Sequence, residues 1–201
     1  MTYAGFVPPS RLLSSLCVLA WLSLASCTSA ARAEPSASDP GAGDPFKQGS
    51  RYWSVTAATS RKPSLAWFAL TQLHASYYLV DDLAIECGGQ FGYVESQRTS
   101  GGAYGGAELG MRWHVAKRNP WSLYVEALAG AVYQRHPITP ASLRFNFDLQ
   151  GGGGVTYRVS RNAMLAGGIR AHHLSNARVR GRNHNMGYDA AMLYLELMKS
   201  F

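Results

Sequence analysis

Arg144-Phe145-Asn146-Phe147-Asp148-Leu149-Gln150-Gly151-Gly152-Gly153-Gly154-Val155-Thr156-Tyr157-Arg158-Val159 decides the fold. Its odd positions are apolar or glycine, from Phe145, Phe147 and Leu149 to Val155, Tyr157 and Val159. Its even positions include Arg144, Asn146, Asp148, Gln150, Thr156 and Arg158. A period of two places these sets on opposite faces of a strand. One face suits lipid and the other a polar interior, which is the pattern of a strand in a membrane β-barrel.

The neighbouring runs repeat it. In 121–134, Trp121, Leu123, Val125, Ala127, Ala129, Ala131 and Tyr133 share one face, with aromatics at both ends, while Glu126 and Gln134 take the other. In 103–116, Leu109, Met111, Trp113 and Val115 oppose Glu108, Arg112 and His114. A soluble sandwich also alternates, but its solvent face would not carry so many large apolar residues. Eight such runs are expected, near 51–60, 65–79, 83–95, 103–116, 121–134, 144–159, 163–176 and 188–201. Their connections alternate: 80–82, 117–120 and 160–162 are tight, whereas 95–102, 135–143 and 177–187 are longer and more polar. Short turns on one side and long loops on the other predict an all-β, eight-stranded antiparallel transmembrane β-barrel in the bacterial outer membrane. Eight strands leave an interior that side chains fill. The expected filling is Glu86, Glu108, Glu126, Asp148 and Glu196 against Arg112, Arg144, Arg158 and Arg170.

Composition is consistent with one domain of this kind. The 201 residues are 47% hydrophobic and only 15% charged, with a mean hydropathy of -0.11. No internal apolar run approaches twenty residues, which excludes a polytopic helical membrane protein. Residues 1–33 have the form of an export signal: Arg11, the apolar stretch 12–24, then Ala31-Arg32-Ala33 before Glu34. Leu24-Ala25-Ser26-Cys27 also reads as a lipoprotein site. Cleavage after Ala33 is the favoured reading, because a barrel anchors itself without a lipid. It lowers the formal charge from +7 to +5 and leaves Cys87 as the sole cysteine, so no intrachain disulfide is expected. Residues 34–50, rich in Pro, Ser, Gly and Asp, read as a disordered lead-in to a barrel over 51–201. The mild basic balance names no partner, and no nucleic acid is expected.

The chemistry lies at the end of the seventh run, Ile169-Arg170-Ala171-His172-His173-Leu174-Ser175-Asn176. His173 and Ser175 are two apart, so a strand points both to one face and a histidine base comes within reach of a serine hydroxyl. Parity places that face with Leu165, Gly167, Ile169 and Ala171, toward lipid, and sends Arg170 and His172 inward. In the last run Asp189 shares parity with Ala191, Leu193, Leu195 and Leu197, again the lipid face. A carboxylate there has no structural purpose. Its expected role is to orient His173, completing a Ser-His-acid triad. Asn176 and Asn185 are candidates for holding the oxyanion or placing the serine. Arg178, Arg180 and Arg182 are candidate contacts for substrate phosphates. Gly151 and Gly153, expected beside Gly167 and Ile169, are candidates for a lipid groove, although strand glycines also mark bends.

His173-Leu174-Ser175-Asn176-Ala177 resembles the His-x-Ser-Asn-Ala motif of the PagL-type lipid A 3-O-deacylases, and Asn185-Met186-Gly187-Tyr188-Asp189 is similar to their Asn-x-Gly-x-Glu. Tyr124-Val125-Glu126-Ala127 and Phe145-Asn146-Phe147-Asp148 extend the similarity, which covers about residues 121–201; earlier strands match in pattern only. The resemblance implies an eight-stranded outer-membrane esterase acting on lipid A of lipopolysaccharide, with His173 as base, Ser175 as nucleophile and Asp189 as acid. It implies no metal and no cofactor. Asp189 replaces the family's Glu, the loop between motif halves is about two residues longer, and Arg178 stands where the family tends to have Gly. Two alternatives stay open on sequence: a non-catalytic structural or adhesion barrel, and a phospholipase or acyltransferase of the same architecture. Oligomeric state is not legible.

Overall fold

The computed structural model describes residues 43–185 and 187–201. The expected signal segment, with Cys27 and both processing sites, lies outside them, as do residues 34–42 of the expected lead-in. Eight strands follow in chain order: β1 (Arg51–Lys62), β2 (Ala66–Val80), β3 (Leu83–Ser96), β4 (Gly102–Arg118), β5 (Trp121–Gln134), β6 (Phe145–Arg158), β7 (Ala163–Ser175) and β8 (Tyr188–Ser200). Each pairs antiparallel with its neighbours, and β8 returns to β1, closing the barrel. Closure leaves no sheet edge unpaired, which a lipid environment demands. The sequence-derived strands are thus all present, with ends moved by a few residues.

Alternation is kept around the wall. Leu109, Met111, Trp113, Trp121, Leu123, Val125, Tyr133, Leu149 and Leu193 are among the large apolar side chains that face outward and are exposed. Trp53 and Phe201 stack at the short-turn end, at 5.1 Å between centroids, and Trp121 meets Tyr157 at 4.6 Å. Phe91, Tyr133, Phe145 and Phe147 stand toward the long-loop end. These two aromatic levels mark the expected interfaces of a spanning barrel.

Inside, charge is paired rather than solvated. Arg112 contacts Glu126 at 3.0 Å, Glu196 at 2.7 Å and Glu86 at 3.3 Å. Arg170 grips Glu126 with two bonds, Nε to Oε1 at 2.7 Å and Nη2 to Oε2 at 3.0 Å, and lies over the Tyr194 ring. Tyr194 donates its hydroxyl to the same carboxylate. Glu108 accepts from Gln72 and His74, both at 2.8 Å. Buried charges persist only when paired and hydrogen-bonded in this way. Two of the expected interior arginines do not belong to this set. Arg144 is exposed ahead of β6 at the long-loop end, and Arg158 donates to the Gly43 carbonyl at the opposite end. Parity fixes a side chain's face but not its height, and both residues sit at strand ends.

The lead-in is also shorter than its composition suggests. Phe46 is 3% exposed and stacks on His114 at 3.6 Å. Its neighbour Asp44 pairs with Lys117 at 2.5 Å, and Gln48 donates its backbone N–H to Asp81. Partial burial, the largest single influence, pushes the Asp44 carboxyl upward, yet the hydrogen bonds from Lys117 and the Phe46 N–H, with the charges of Lys117 and Arg158, together outweigh it and leave the group below its ordinary range. Residues 43–50 therefore stopper the short-turn end. One aromatic side chain entering an otherwise open mouth supplies the apolar burial that a Pro, Ser and Gly-rich segment otherwise lacks.

Candidate active site

Strands β7 and β8 pair so that His173 lies directly opposite Asp189 and Ala171 opposite Ala191. All four point outward, as parity requires. His173 Nδ1 and Asp189 Oδ1 are 2.6 Å apart, with 41% and 69% of their side chains exposed on the lipid-facing surface. With Nδ1 held by the carboxylate, Nε2 is the ring nitrogen left for a proton acceptor. Ser175 follows on the same face, two residues along β7, and is half-buried. Its hydroxyl makes no hydrogen bond among the described residues, so the structure joins His173 to Asp189 but not to Ser175. Ser175 pairs with Phe147 across to β6, which puts the serine at the outer aromatic level. Direct cross-strand pairing also compensates for the shorter acid: an Asp opposite the histidine needs no extra methylene.

The turn after β7 is fixed by the two asparagines. Asn176, 1% exposed, takes the side-chain oxygen of Asn185 on its backbone N–H at 3.0 Å. Its own amide donates to the His184 carbonyl at 2.6 Å, and its side-chain oxygen accepts from the Arg178 N–H. These bonds lock both halves of the 176–187 loop together, which favours the placing role over direct contact with an oxyanion. Ala177 and Arg178 are left-handed, with φ of 51° and 61°. Arg178 therefore occupies a conformation that glycine adopts without strain. Arg178 and Arg180 are exposed, and Arg182 lies in a short helical turn, Arg182–His184. His184 bonds the Ala141 carbonyl at 3.2 Å and joins this loop to the one before β6. His172 is interior, between Ser60 and Asp148.

Gly187 drew no role from spacing alone. A Cβ built on it would lie 4.0 Å from His173 Cε1 and 3.9 Å from Asp189 Oδ2, so its backbone passes beside the pair.

The wall below the pair is low, but not where the sequence put it. Gly151 pairs with Ala171 and Gly153 with Ile169, a register two residues from the expected one. Ala127 lies opposite Gly151 on β5. Ala171, Ala191, Gly151 and Ala127 thus form a shallow patch without large side chains. The two glycines differ: a Cβ at Gly151 meets nothing closer than 4.0 Å, whereas one at Gly153 would fall 2.6 Å from the Tyr124 carbonyl oxygen. Replacing Gly153 would distort backbone, so Gly151 is the position that tests a groove. Gly151→Phe is expected to fill the patch and leave the barrel folded, checked by the gel mobility of the unheated protein.

Among the described residues no cluster of His, Cys, Asp and Glu could hold a metal ion.

A family model described as "Lipid A 3-O-deacylase (PagL)" matches residues 80–198. That match begins near the start of β3, further upstream than the motif-bearing region 121–201. Among solved structures, Neisserial surface protein A (NspA) is 15% identical, with a TM-score of 0.56 over 75% of this chain and 97% of that one. The outer membrane enzyme PagL is 18% identical, with a TM-score of 0.56 over 71% of this chain and 97% of that one. Likeness at these identities speaks to the fold. No curated protein sequence matches the chain significantly.

Proposed function

The chain belongs to the lipid A 3-O-deacylase (PagL) family, and from that premise we propose that it is an outer-membrane serine esterase removing an ester-linked acyl chain from lipid A. The observation carrying this reading is the His173–Asp189 pair, 2.6 Å apart on the lipid-facing side of the wall. Ionisable groups facing lipid are costly and by default functional. A purely structural or adhesive barrel, for which the NspA-like fold is the argument, gives no reason for that pair or for a serine in step with it.

Ser175 Oγ attacks the ester carbonyl carbon while His173 Nε2 takes the hydroxyl proton. The tetrahedral intermediate collapses as His173 returns the proton to the leaving sugar oxygen, and the acyl group stays on Ser175. Water, deprotonated by the same nitrogen, then releases the fatty acid and restores the serine. Asp189 keeps the Nδ1 proton in place and offsets the imidazolium charge. The Ala177 N–H has no partner among the described residues, which supports it as the amide for the oxyanion; such a donor is worth about 3 kcal/mol.

Mass spectrometry of lipid A from cells with and without the expressed protein tests the assignment. One acyl chain should be lost from the 3-position. Intact lipid A beside fatty acid release from glycerophospholipids would transfer the chain to the phospholipase reading.

A further inference from the structure

A second outward-facing feature lies at the long-loop end, away from β8. A depression of about 300 Å³ is lined by Ala103, Gly105, Tyr133, Arg135 and Arg144, with the Tyr104 backbone between them. Its floor is low because small residues of β4 face outward there: Gly105 pairs with Tyr133, and the Arg135 N–H bonds the Ala103 carbonyl. Arg135 and Arg144 are exposed at its rim. Neither guanidinium forms an ion pair or a hydrogen bond among the described residues, and Glu95, the carboxylate on β3, makes no bridge to them. An apolar recess topped by two unpaired guanidinium groups at an interfacial level matches an acyl chain below an anionic headgroup.

Register ties this place to the candidate active site. Ser175 pairs with Phe147, and Phe147 with Ala131. Tyr133 and Arg135 are the next outward positions up β5. The recess therefore lies between two and three strands from the serine, about 10–14 Å across the wall, and closer to the outer end. A glycolipid with several acyl chains and a sugar-phosphate head covers that separation.

We propose that the β4–β5 recess, capped by Arg135 and Arg144, is a second contact for the glycolipid substrate, seating one acyl chain that is not cleaved and holding a phosphate monoester of the head. This rests on the reading of the chain as a lipid A esterase, and it places phosphate recognition on the β5–β6 side of the serine, outside the 177–187 loop.

The test compares bis-phosphorylated lipid A with the same lipid A stripped of phosphate. It measures turnover by the intact protein in detergent micelles and binding to the Ser175→Ala form. Arg135→Gln with Arg144→Gln should raise KM and weaken binding by about tenfold or more for the phosphorylated lipid, as loss of charge-assisted bonds implies. The dephosphorylated lipid should be handled as before. Gly105→Leu, whose Cβ has room at 3.4 Å from the Gln90 carbonyl oxygen, should weaken both lipids by filling the recess. Equal loss on both lipids from the arginine variant, or no loss on either, overturns the phosphate contact. Gly105→Leu without effect overturns the acyl seat. If the wild-type protein turns over neither lipid yet Ser175→Ala binding keeps the arginine dependence, the esterase reading fails and the recess stands.

Discussion

Asp189→Asn should lower turnover by about 10⁴-fold while leaving the barrel folded, the loss that the same change causes in other serine triads. The Asp189 carboxylate only accepts, so it fixes the His173 proton on Nδ1 across their 2.6 Å contact. An asparagine can present its NH2 group instead. The imidazole then carries its proton on Nε2, and the nitrogen left for the serine no longer accepts one. Ser175→Ala should be at least as damaging, because the nucleophile itself is gone. Asp189→Glu, which keeps the carboxylate, should retain activity. Single-turnover rates on a soluble ester check all three, with gel mobility of the unheated protein confirming the fold. Wild-type activity in Asp189→Asn beside an inactive Ser175→Ala would reduce the site to a Ser-His dyad.

The second large effect concerns stability. Arg112→Met strips the shared partner from Glu86 and Glu196 and one of two from Glu126, all fully buried. Removing one member of a buried pair costs about 3–5 kcal/mol, because the carboxylates left behind are neither hydrated nor neutralised. Urea unfolding in micelles should show that loss. Adding Glu196→Gln to Arg112→Met should recover part of it, since one stranded charge then disappears. An unchanged midpoint for Arg112→Met would mean that water enters the lumen and solvates the carboxylates.

Side-chain parity carried most of what was legible in the sequence. It separated Arg170 and His172 from Ala171 and His173 within four consecutive residues, and it put Asp189 on the same surface as His173 before any pairing was known. A period of two needs only local sequence. What it cannot carry is depth and register. Arg144 and Arg158 share parity with interior residues but stand at opposite ends of β6, Arg144 just ahead of it and Arg158 at its last position. The β6–β7 register depends on where the turn is centred, and two residues of error moved the partner of Gly151 from Ile169 to Ala171. The difference between Gly151 and Gly153 lies in how near the Tyr124 carbonyl approaches, which no spacing encodes. Composition misjudged 43–50 for a similar reason: a single phenylalanine weighs little in an average and decides the matter when a His114 ring waits for it. Asn176 and Asn185 stand out in the sequence as amides able to hold an oxyanion or place the serine, and the bonds that tie their loop to itself depend on a fold of that loop which spacing does not encode.

The ion-paired filling has a consequence for the cell that carries it. Arg112, Arg170, their carboxylates and the surrounding glutamines occupy the cross-section that a wider barrel would leave to water, and Phe46 sits across one mouth. Electrically such a cylinder is an insulator: a planar bilayer containing it should show no steady conductance. A membrane containing many such barrels would gain no aqueous route for small solutes through their lumens.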